Sequence, residues 1–120
     1  MKYIISTKWT HRNDAFITLW RPDNNGYCWY QAWAGKYDIA SWSKVDREHY
    51  DNCHSTIAID CEIIDNLFVT VKFDNRIEKI LPNTDEVLEI LNIDRKLFDK
   101  LYPSSCPNIK ELSLYLFDKP

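Results

Sequence analysis

The chain has 120 residues, 45% of them hydrophobic, 28% charged and 14% aromatic, which is the profile of one folded domain and not of a disordered segment. A formal net charge of −3 argues against generic affinity for nucleic acid or anionic membranes, since both need clustered Lys and Arg. The apolar runs are too short for a membrane span, and Met1-Lys2-Tyr3-Ile4-Ile5 has no apolar leader ahead of it, so the expected compartment is the cytoplasm.

In chain order, residues 2–8 are β-rich and predict a first strand. A polar turn at 10–14 leads to a second strand over 15–20, antiparallel to the first and ending at Arg21, because Pro22 cannot donate to a ladder. Pro22-Asp23-Asn24-Asn25-Gly26 is dense in turn formers, and Gly26 is expected to supply a left-handed residue. Residues 27–34 fit a strand, a short helix or a loop. Residues 38–52 turn polar, a loop or one short helix. Residues 56–59 predict a buried strand, followed by a helical turn through 62–66. The alternation of 68–73 predicts another strand, with Asp74-Asn75 as the turn into a partner over 76–81. This strand and the second are expected in one sheet.

Later, Asn83 and Glu86 have the spacing of a capping box and predict a helix to about Leu91. Asp94 is expected to cap a helix over 95–101 that Pro103 stops. The tail at 108–117 is amphipathic, with helix preferred. The fold class expected is α+β, a small antiparallel sheet with short helices toward the C-terminus, forming a single domain over 1–120.

Both glycines, Gly26 and Gly35, fall within residues 20–37 together with six aromatics, and all five tryptophans lie at or before Trp42. Stacking faces at Trp20, Tyr27, Trp29, Tyr30, Trp33 and Tyr37, cations at Arg21 and Lys36, and polar Asp23, Asn24 and Asn25 would together make a recognition surface. His54 completes the expected binding set. Trp20 and Trp29, flanked by turn residues, are expected to be the exposed members, with Trp9 and Trp33 more buried. The plainer reading of the same block is hydrophobic core, and of its charges a solvated rim.

The residues Trp20-Arg21-Pro22-Asp23, Gly26-Tyr27 and Ala34-Gly35-Lys36-Tyr37 resemble the motif of a family of small, mostly uncharacterised bacteriophage and mobile-element proteins. The stretches Lys2-Tyr3-Ile4-Ile5, His54-Ser55-Thr56-Ile57-Ala58-Ile59 and Leu81-Pro82-Asn83-Thr84 are similar to it as well. The resemblance implies a phage or prophage origin and, by association, a role in blocking a host function such as immunity. It implies no reaction.

Catalytic signals are sparse. His54 beside Cys53, or near Asp60, Glu62 and Asp65, could support a small hydrolase-like enzyme, though nothing marks an activating partner. His49, Cys53, His54 and Cys61 lack the paired spacing of a zinc site, so no metal or cofactor is expected. The four cysteines are expected as reduced, buried or semi-buried small hydrophobes. The leading expectation is a non-enzymatic inhibitor that caps a host protein or sequesters a nucleotide-like small molecule. A nucleic-acid mimic is disfavoured by the weak charge.

Overall fold

In a computed structural model describing residues 1–98 and 104–117, β1 (Lys2–Ser6) runs through the middle of a four-stranded antiparallel sheet. The order is β3-β2-β1-β4, with β2 at Leu19–Trp20, β3 at Tyr27–Cys28 and β4 at Thr56–Asp60. Alternation along β1 splits the core, as the pleat requires. Tyr3 and Ile5 pack with Ile64, Leu81, Leu88 and Phe98, whereas Ile4 packs with Trp20 and Ala58.

The remaining strands, β5 (Val69–Phe73) and β6 (Arg76–Ile80), form their own two-stranded sheet. The two-residue loop Asp74-Asn75 has both residues left-handed, at φ 53° and 60°, the geometry that matches strand twist in a tight hairpin. The expectation of one sheet is therefore corrected. Single bridges, Tyr30↔Ile80 and Phe16↔Pro82, instead join the end of the hairpin and the residues after it to the segments that follow β3 and precede β2, and Val71 is nonetheless wholly buried.

The second strand is also shorter than expected. Residues 14–20 are all buried, but the ladder is used only at Leu19 and Trp20. Upstream, the Thr18 carbonyl still accepts from the Ser6 amide of β1, but the Thr18 amide donates to Thr10 Oγ1 and the Ile17 amide to the Leu81 carbonyl, so the amides of this segment bond away from β1.

Helices are short: α1 (Lys44–Tyr50), α2 (Cys61–Ile64), α3 (Asp85–Leu91) and α4 (Leu112–Tyr115). The capping box expected at Asn83 falls elsewhere, at Ser43 and Asp46 of α1. Thr84 caps α3. Asn83 is wholly buried instead, donating through Nδ2 to the Arg12 and Asp14 carbonyls and accepting from Arg95 at Oδ1. A buried amide with these partners cross-links three segments. Asp94 does cap a helical turn, a 3-10 turn at Arg95–Leu97. The turn ends at Leu97, with Phe98 already non-helical, against the expected helix to 101; residues 99–101 and the stop at Pro103 lie outside the described residues. In the tail, a 3-10 turn at Ile109–Glu111 leads into α4.

Among the described residues no helix is long and apolar enough to cross a membrane. The fold is α+β, with small antiparallel sheets and short helices.

Candidate functional site

The two glycines have different jobs. Gly26 sits at φ +98° with open space around it, while a Cβ on Gly35 would come within 2.8 Å of the Pro22 backbone. Between them the 22–26 loop is held shut. The Arg21 amide donates to the Gly26 carbonyl, and the Gly35 amide to the Trp20 carbonyl. The Tyr37 hydroxyl donates to the Arg21 carbonyl and accepts from the Asn24 amide. Asp23 and Asn24 are left-handed, at φ 57° and 59°, and exposed. The Tyr37 backbone in turn bridges to Lys2. Most of the motif thus builds and anchors a loop.

That loop delivers Tyr27 to Trp33 to a cleft of about 520 Å³. Along β3 and beyond, Tyr27 and Trp29 alternate with the buried Cys28 and Tyr30, and the 3-10 turn Gln31–Trp33 brings Trp33 round beside Tyr30 at 5.1 Å. The β1–β2 connection contributes Trp9, His11, Asp14 and Thr18, the β5–β6 hairpin contributes Asp74 and Arg76, and Ser104 and Ser105 complete the rim. Trp9, Tyr27 and Trp33 keep 38%, 41% and 41% of their surface exposed, so each offers area to a ligand.

The rings stand at angles to one another. Trp9 and Tyr27 are tilted at 5.6 Å, and Trp29 meets Phe16 edge-on at 5.7 Å and Phe73 at 6.1 Å. The Arg76 guanidinium lies 4.9 Å from the Trp33 ring centroid and 5.7 Å from that of Tyr30, within cation–π range. Arg21 lies 5.6 Å from Trp33 without lining the cleft. Burial pushes the Tyr30 phenol above its ordinary range, with Arg76 opposing and Asp74 adding to the shift. Burial likewise raises the Cys28 thiol to about 11, against the pull of Arg21. Both groups stay protonated at neutral pH, so Cys28 is no thiolate nucleophile.

Of the sequence-predicted set, the cleft brings together Tyr27, Trp29, Tyr30 and Trp33. Trp20 is corrected from exposed to core: it retains 6% of its surface, packed edge-on against Tyr27, His49 and Tyr50. The expectation for Trp9 and Trp33 is reversed in the same way, since they are the exposed members. The physical reason is register: β2 pairs with β1 at Leu19 and with β3 at Trp20, which puts the Trp20 ring on the opposite face from Leu19, against His49 and Tyr50 of α1.

Lys36 is exposed, with Nζ 5.9 Å from the Tyr3 ring centroid. His54 lies exposed in the loop before β4, its amide bound to Asn52 Oδ1. Lys36 and His54 are not among the residues that line the cleft. Cys53 is exposed at φ 63°, against the expectation of burial, because the Asn52 side chain gathers the amides of residues 54–56 into a tight turn and leaves Cys53 on its outside. Among the described residues, no group of three or more His, Cys, Asp or Glu could hold a metal.

Sequence reasoning missed Trp9, His11, Asp14, Asp74 and Arg76. Each lies outside the aromatic block, in the β1–β2 connection or the β5–β6 hairpin, and turn residues carry no periodicity to mark them. Comparison with known protein families, curated proteins and solved structures found no match.

Proposed function

We propose that this chain is a small phage- or prophage-encoded protein that works by capture, holding a planar, nucleotide-like small molecule in the aromatic cleft and so withdrawing it from a function of the bacterial host. The observation that carries the reading is the convergence of three half-exposed aromatic rings, Trp9, Tyr27 and Trp33, on one concave site with Trp29 and Tyr30. Exposed aromatics gain little in water, but stacking a flat ligand on such rings contributes about 1–3 kcal/mol per base. A cleft of about 520 Å³ lies within the usual range of small-molecule sites, roughly 300–1,000 Å³. The resemblance of the 20–37 motif to phage and mobile-element proteins supports the host cytoplasm as the place of action and a defence pathway as the target.

The hydrolase-like alternative receives less support. His54 and Cys53 share an exposed loop and are not among the residues that form the cleft.

The test is purification from bacterial cells followed by denaturation and mass spectrometry of the released small molecules. The expected result is one aromatic compound in near-stoichiometric amount, lost in Trp33→Ala. Protein that instead retains a host polypeptide and no small molecule would move the reading to capping of a host protein.

A further inference from the structure

The charges of the cleft select among planar ligands. We infer that the cleft takes an aromatic ring system carrying a single negative charge, with Arg76 as its anchor; this rests on the capture reading above.

The Arg76 guanidinium carbon lies 4.9 Å from the Trp33 ring centroid. Its one ion-pair contact among the described residues is Glu78, at the outer limit of 4.0 Å. Among these residues its side chain makes no hydrogen bond. A guanidinium offers five N–H donors in a fixed fork, so an anionic group of a ligand stacked beside Trp33 finds donors ready. The stacking also holds the fork in place, which lowers the entropy lost on binding.

The same wall limits how much negative charge is welcome. Asp74 stands two residues before Arg76, and both line the cleft with Asp14. Of the two carboxyl groups among the described lining residues, Asp14 is buried and accepts from the His11 amide, whereas Asp74 is exposed. A second or third negative charge on the ligand would meet Asp74 with no second guanidinium to offset it, and like charges at close range oppose binding. Arg21 lies 5.6 Å from the same Trp33 ring centroid and Lys8 lies 5.7 Å from that of Trp9, both outside the lining. A phosphodiester-linked nucleotide and an aromatic carboxylate share the required chemistry; nucleoside polyphosphates do not.

Tryptophan fluorescence titration of the intact chain with adenosine, cyclic AMP, cyclic GMP, ATP and indole-3-carboxylate tests this. The expected order places the singly charged probes about tenfold or more ahead of adenosine and ATP, the size of one charge-assisted hydrogen-bonding contact. Tight cyclic nucleotides with weak carboxylate would identify the nucleotide as the source, and the reverse order the carboxylate. Arg76→Gln should remove the advantage over adenosine, Arg76→Lys should keep part of it, and Asp74→Asn should raise affinity for ATP. If adenosine or ATP binds as tightly as the singly charged probes, the charge inference fails while capture stands. If no probe binds, both fail.

Discussion

Gly35 lies against Pro22 so closely that any side chain at position 35 would collide with backbone, its Cβ falling 2.8 Å from the proline Cα and N. The contact fixes the distance between the end of β2 and the segment that carries Trp33. Gly26, by contrast, is demanded by its φ of +98° and by nothing nearby. The two substitutions should therefore differ in cost. Gly26→Ala strains one residue, about 1–2 kcal/mol. Gly35→Ala must move backbone, and should cost more, about 3 kcal/mol or above, within the range of overpacking and strain combined. Urea denaturation of both variants checks the order; equal midpoints would remove the close-approach argument.

Tyr37→Phe deletes a hydroxyl that both donates to Arg21 and accepts from Asn24. The expected loss is about 1–2 kcal/mol, the scale of a hydrogen bond and its orphaned partner. The more telling readout is local. Amide exchange at Asn24 should quicken while that at Ile5, in the middle of the sheet, changes little.

Alkaline pH should weaken the fold before acid does so through these groups. Burial raises Cys106 to about 12 and Cys28 to about 11, from 9.0, and raises Tyr3 to about 12, with Asp65 adding to the effect. A group whose folded pKa is raised gives stability that is fully present below its unfolded pKa and lost as pH rises through the folded value. The window runs from pH 9 to about 12 for Cys106. The melting temperature should fall across it, and Cys106→Ala should flatten the fall relative to the parent.

Much of the fold was legible because local rules decided it. The 69–73 alternation, the Asp74-Asn75 turn and the helix ending near Leu91 all follow from period, turn chemistry and propensity. Asn83 shows where local rules lose. Its position ahead of an acidic turn looks like a cap, yet its amide group is claimed by Arg12, Asp14 and Arg95, contacts up to 71 residues away. The cleft was half legible for the same reason. Its aromatic wall is contiguous in sequence, whereas Arg76 and Trp9 reach it only through the packing of the hairpin and the β1–β2 connection.

Val71 is wholly buried in the smaller core with Phe16, Tyr30 and Ile80. Val71→Asp leaves a charge there with no partner, so destabilisation of several kcal/mol is expected. A variant that melts within a degree or so of the parent would contradict that packing.

The tryptophans separate fold from function. Trp20, at 6% exposure, fills the space between β1, β4 and α1, and Trp20→Ala should cost about 3–5 kcal/mol as a large-to-small core change. Trp9 and Trp33 line the cleft half in solvent. Their alanine variants lose ring contacts of about 1–2 kcal/mol in all, so they should stay folded at 25 °C. Each should nonetheless weaken ligand capture by about 2 kcal/mol or more, the scale of an aromatic anchor. Urea midpoints and small-molecule retention, measured on the same three proteins, resolve the two roles. If Trp33→Ala retains the bound compound at the parent's level, the cleft is not the site of capture. If Trp20→Ala melts like the parent, the core assignment of its ring is wrong.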